Sequence, residues 1–139
     1  MFGSLDISTS ALVAQRIRMD TIAGNIANAS TPADPNGRPG VYQRRVAVFA
    51  PGNPAAGRDA AGVHVAEILK DPAPPEMRHD PGHPLAAKAG KWQGYVAYPN
   101  VKMSVEMINA MEAGRAYEAN VTVMQATKSM ISASLKLLG

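Results

Sequence analysis

The chain of 139 residues contains no cysteine. Disulfides and thiolate metal sites are thereby excluded, and such a chain passes through a narrow channel without cross-linking. Aromatic residues are scarce, with one Trp and two Phe. No stretch approaches the roughly 18 uninterrupted apolar residues of a membrane span, so no membrane insertion is expected. Met1 to Asp20 lacks the basic start and apolar run of a cleaved signal peptide. Charge of one sign is also lacking. Lys and Arg number 14 against 11 Asp and Glu, dispersed except for the pair Arg44-Arg45. Nucleic-acid binding needs a concentrated basic face, so it is not expected.

Proline is missing from the first 31 and the last 40 residues, although the chain holds 11. Proline removes a backbone donor and clashes inside a helix. Long helices are therefore expected at both ends and not in the middle. The pattern predicts a mainly α protein in three zones. Residues 1–31 and 100–139 are terminal helices forming a coiled coil. Residues 32–99 are a small central β-ribbon with extended proline-rich arms.

The first helix is predicted from Asp6 or Ser8 to Ala29. Leu5, Leu12, Met19 and Ile26 recur every seven residues, and Ile22 and Ala29 extend the stripe. Val13 and Ile17 lie off it, so a second face is apolar and more than one neighbour is needed to cover the helix. Ala23, Gly24 and Ala27 are small enough for close backbone approach. Pro32 pushes Thr31 out of the helical region and ends the helix.

The last helix is predicted from Val101 to Leu138, with Asn100 as its N-cap. Met103, Ala110, Tyr117, Met124, Ile131 and Leu138 recur every seven residues, and Met107, Val121 and Leu135 widen the stripe. At 1.5 Å per residue the helix is about 55 Å long and projects beyond any core the centre can build. Its methionines suit an adaptable packing surface.

In the centre, Val41 to Phe49 and Gly62 to Leu69 alternate as strands do, and Tyr95 to Tyr98 is a short third strand. Ala50 to Ala61 is a long, mobile connection. Asp71 to Gly94, with five prolines, is expected to be extended or turning.

Catalytic patterns are not met. His79 and His83 have the spacing of a helical zinc pair, but Pro81 and Gly82 forbid that helix, so structural roles are expected for both and for His64. No Gly-x-Ser-x-Gly is present, and the serines lie in or beside the helical zones. Glu67 with Asp71, or Glu76 with Asp80, are carboxylate pairs by proximity alone, and the proline-rich centre gives them no rigid cleft. No cofactor is expected.

Several stretches carry a family resemblance. Gly24-Asn25-Ile26-Ala27-Asn28-Ala29-Ser30-Thr31-Pro32 resembles the N-terminal motif of flagellar rod and hook proteins. Tyr42-Gln43-Arg44-Arg45, Asp80-Pro81-Gly82-His83-Pro84 and Gly94-Tyr95-Val96-Ala97-Tyr98-Pro99-Asn100-Val101 resemble the proximal-rod branch. Glu106-Met107 and Ala116-Tyr117-Glu118-Ala119-Asn120-Val121 fit the same branch. The resemblance implies a subunit of the basal-body rod, the drive shaft crossing the periplasm. It implies export through the flagellar type III apparatus without signal cleavage, and helices that pair into the inner coiled coil of the tube. Implied partners are further copies, the rod proteins FlgB, FlgF and FlgG, and the basal adaptor FliE. Implied packing residues are Leu5, Leu12, Met19, Ile22, Asn25, Ile26, Asn28, Met107, Tyr117, Val121, Met124, Ile131, Leu135 and Leu138. The chain departs from the family at Leu85 to Gln93, where a short acidic stretch is usual and Lys88, Lys91 and Trp92 stand instead. Trp92 either anchors on a neighbouring subunit or folds back onto the ribbon. The alternatives are another axial protein such as FlgB and, from a different class, a periplasmic wall hydrolase. Helices with exposed stripes bury little alone, so order at the ends is expected to come with assembly.

Overall fold

The computed structural model describes residues 2–37, 40–52 and 61–138. Most of the connection expected to be mobile lies outside the described residues. Helix α1 spans Phe2–Asn28 and helix α2 spans Met103–Leu138. Between them lie strands β1 (Arg45–Pro51), β2 (Val63–Lys70), β3 (Glu76–His79) and β4 (Tyr95–Tyr98).

Both helices form where proline is lacking. Helix α1 begins earlier than expected, at Phe2, because no proline lies between Phe2 and Ser8 and Gly3 near the end costs too little to stop it. It stops at Asn28, where the Thr31 N–H closes a turn on the Asn28 carbonyl at 3.1 Å just before Pro32. Asn100 is not the cap of α2. Its side-chain oxygen accepts from the Arg44 N–H at 3.2 Å, and the first helical turn closes instead on the Lys102 carbonyl.

The helices run antiparallel. Asn25 meets Glu106 and Arg18 meets Glu112, so advancing along one means retreating along the other. Helix α2 has 36 residues against 27 in α1. At 1.5 Å per residue its last turns extend roughly 13 Å past the helix that covers it.

Covered positions on α2 recur at sevens. Glu106, Ala113, Asn120, Thr127 and Ser134 form one line; Ala110, Tyr117, Met124 and Ile131 form the other. On α1, Ser8, Ala14, Ile22 and Asn25 are buried, and Leu5, Leu12, Met19 and Ile26 are half-buried. The innermost positions are thus smaller and more polar than the sequence suggests. Several polar side chains bond to their own helix: Thr21 to the Ile17 carbonyl, Asn120 to Ala116 and Thr127 to Val123. That local bond removes the cost of burying them without a partner across the seam. Of the small residues expected to admit close approach, Ala23 and Ala27 are exposed, and only Gly24 is partly covered.

The centre holds two small antiparallel sheets rather than one ribbon. Strands β1 and β2 pair from Arg45↔Lys70 to Pro51↔Val63, with a bulge at Val48/Phe49. This hairpin lies against α1, where Ile17 and Thr21 share a hollow with Tyr42 and Ile68, while Val13, the other residue of the second apolar face, is 55% exposed. Strand β3 pairs with β4 from Glu76↔Tyr98 to His79↔Tyr95, inside the segment expected to be extended or turning. Ala33 bridges to the other side of Ala97, so Val96 and Ala97 are fully buried. Gly94 is required where it stands. Its φ is +77°, and an added Cβ would lie 3.4 Å from His79 Nε2.

Candidate functional site

Asn25, in the last turn of α1, is fully buried. Its amide nitrogen donates to Glu106 Oε2 at 2.9 Å and to the Arg45 carbonyl at 2.8 Å. Its oxygen accepts from the Arg45 N–H at 2.8 Å and from the Tyr42 hydroxyl at 3.0 Å. One carboxamide therefore uses both donors and both lone pairs. Glu106, in the first turns of α2, is also fully buried. Its other oxygen accepts from Arg44 Nε at 2.7 Å. Arg44 Nη1 lies 3.7 Å from Asp71 Oδ2, and the Arg44 carbonyl accepts from the Asp71 N–H.

The junction ties the end of α1, the start of β1, the end of β2 and the start of α2. A buried carboxylate is tolerated only when paired and hydrogen-bonded, and Glu106 has both. Within the junction the Asn25 carboxamide and both Glu106 oxygens are held by partners inside the chain. Its physical consequence is registry: one buried polar contact sets how two helices align.

Of the four carboxylates considered for hydrolysis, Asp71 and Glu76 make ion pairs. Asp71 faces Arg44 and accepts from the Ala73 N–H, and Glu76 pairs with Arg78 at 3.0 Å. His64 contacts the Gly52 carbonyl, His79 packs against Tyr95, and His83 accepts from the Leu85 N–H.

The sequence-derived packing residues fall into three groups. Asn25 and Ile22 are buried within the chain. Leu5, Leu12, Met19, Ile26, Asn28, Tyr117, Val121, Met124 and Ile131 are half-buried. Met107 and Leu135 are exposed by 55% and 64%, so the single chain leaves both free for other contacts. The Leu138 side chain lies outside the described residues. Trp92 folds back in the single chain, edge-on to Tyr95 at 5.8 Å with Lys91 over its ring. Its loop is closed by the Gly94 N–H on the Ala87 carbonyl and the Ala87 N–H on Tyr95.

Large apolar side chains crowd the outside of α2. Ile108, Met111, Val123, Met130, Leu135 and Leu137 are all more than half exposed, Leu137 by 88%. Isolated exposed apolar residues need no explanation, but a helix carrying them from end to end does.

The comparisons with known proteins bear on both features. Residues 5–32 match the family model described as flagella basal body rod protein, and residues 93–137 match that of the flagellar basal body rod FlgEFG protein C-terminal. Asn25 falls in the first match and Glu106 in the second, so the buried contact joins the two. The flagellar basal-body rod protein FlgC of Borreliella burgdorferi is 40% identical, covering 99% of this chain and 97% of the relative. The FlgC protein of Escherichia coli O6:H1 is 42% identical, covering 95% and 93%. That of Bacillus subtilis is 36% identical, covering 98% and 97%.

Proposed function

This chain belongs to the FlgC family of flagellar basal-body rod proteins and is a structural subunit of the rod, and from that premise we propose how it assembles. The terminal helices, residues 1–31 and 100–139, pack as an inner coiled-coil domain against neighbouring subunits. Residues 32–99 form the outer domain, and its proline-rich stretches reach adjoining subunits as arms. The partners are further copies, FlgB, FlgF, FlgG and FliE. The subunit reaches the periplasm through the flagellar type III export apparatus without losing a signal peptide.

The observation that carries the proposal is the outer face of α2. Its exposed apolar residues run on past the end of α1, where none of the described residues covers them. Burying one such side chain is worth about 1.5–3 kcal/mol, so covering several supplies ample driving force. Stiffness follows from the same contacts, because interlocked helices resist shear when torque passes through them. Leu5, Leu12, Met19, Ile26, Met107, Tyr117, Val121, Met124, Ile131, Leu135, Leu138 and Trp92 are the proposed packing residues. Asn25, Asn28 and Ile22 hold α1 in place for that packing.

The role is mechanical rather than catalytic. Replacing the chromosomal copy by a Leu135→Asp variant is expected to leave the protein produced but missing from purified basal bodies. Normal incorporation of that variant would count against the proposal. Release of muropeptides from peptidoglycan by the purified chain would instead favour a wall hydrolase.

A further inference from the structure

Three of the eight methionines stand one helical turn apart at the start of α2: Met103, Met107 and Met111. They are exposed by 39%, 55% and 59%. Positions four apart share one side of a helix, so the three thioethers form a continuous sulfur-bearing stripe. It lies beside the line through Glu106 and Ala113 that α1 covers, and no other element of the described chain covers it. Met130, exposed by 60%, stands by itself further along α2, whereas Met19, Met77 and Met124 are partly covered.

With no cysteine in the chain, methionine sulfur is its most readily oxidised group. We propose that Met103, Met107 and Met111 form a peroxide-sensitive modification site whose oxidation blocks assembly of the subunit. The inference rests on the reading that the outer face of α2 packs against neighbouring subunits. In the chemical step the thioether sulfur attacks one peroxide oxygen and the O–O bond breaks. The sulfur is oxidised by two electrons to the sulfoxide, and the peroxide is reduced to water. The product is a strongly polar acceptor on a flexible stem. Placed in an apolar interface, it must be buried without a donor or kept apart from its neighbour. Methionine sulfoxide reductases, drawing on thiol reductant, reverse the change. A subunit awaiting incorporation is open to the reaction, whereas an incorporated one is shielded by its neighbours.

The test uses the full-length chain, dilute hydrogen peroxide, and basal-body particles isolated from cells lacking this subunit. Peptide mapping is expected to find sulfoxide at the three stripe positions several-fold sooner than at Met19 or Met124. Binding of the oxidised chain to the particles is expected to fall roughly tenfold, and reductase treatment is expected to restore it. In a parent chain that already carries Met130→Leu, the triple variant Met103→Leu, Met107→Leu and Met111→Leu keeps the apolar volume and should bind equally well before and after peroxide. The inference is overturned if the stripe oxidises no faster than Met124, if the oxidised chain binds undiminished, or if the triple variant is as peroxide-sensitive as the parent. If the untreated chain fails to bind, the packing reading itself is what fails, and the assembly effect falls with it.

Discussion

The two ends of α2 contrast sharply. At its start the chain finishes its own interior: Glu106 is sealed, and its oxygens are bound by Asn25 and Arg44. At its far end Met130, Leu135 and Leu137 stand in solvent, past the end of α1. The first region spends polar groups on fixing one alignment. The second has no such polar lock and leaves apolar side chains exposed. A rod subunit needs both, because a helix pair that is free to slide would present its outer surface in no fixed place.

Variants can break this contrast from either side. The largest effect on the isolated chain is expected from Arg44→Ala. It strips Glu106 of its cationic partner inside the fold and should cost about 3–5 kcal/mol, read as a fall in the urea midpoint. Asn25→Ala deletes the carboxamide that links α1, β1 and α2, leaving the Arg45 N–H unpaired. A loss of about 2–3 kcal/mol is expected, measured in the same way. Arg18→Ala removes an ion pair whose Glu112 side chain is two-thirds exposed. It should cost at most about 1 kcal/mol and less in high salt, which a denaturation series with and without salt will show. Met130→Asp should change monomer stability least, within about 0.5 kcal/mol, yet remove the protein from purified basal bodies. The contrast is broken if Met130→Asp unfolds the monomer, or if Asn25→Ala leaves it unchanged.

Much of the architecture was legible in where proline is absent. The helices at Phe2–Asn28 and Met103–Leu138, and strands β1, β2 and β4, fall close to where the pattern places them. Strand β3 was not legible. Glu76-Met77-Arg78-His79 has a single large apolar residue and prolines on both sides, and it is a strand because β4 offers it an edge. The seam follows the largest apolar residues in the sequence, and Ile22 is buried accordingly, but the other most covered helical positions hold Ser8, Ser10, Ala14, Asn25, Glu106, Ala113 and Thr127. Periodicity locates a stripe, whereas closest approach between helices favours small side chains beside it. The Asn25–Glu106 contact spans 81 residues, and an acid in an amphipathic helix ordinarily reads as solvated. Two signals point to it: Glu106 stands between Val105 and the apolar pair Met107-Ile108, and Arg44-Arg45 is the one basic pair. The assignment of surface residues to particular neighbours has no signal in one chain, since the partners are other molecules.

Hydrogen exchange of the full-length chain, free and in purified basal bodies, tests the central claim most directly. Amides around Glu106 to Ala113 should be protected in both states. Those from Met130 to Leu138 should exchange quickly in the free chain and become protected after incorporation. Equal protection of that last stretch in both states would contradict the account, because its apolar surface would then need no neighbour to cover it.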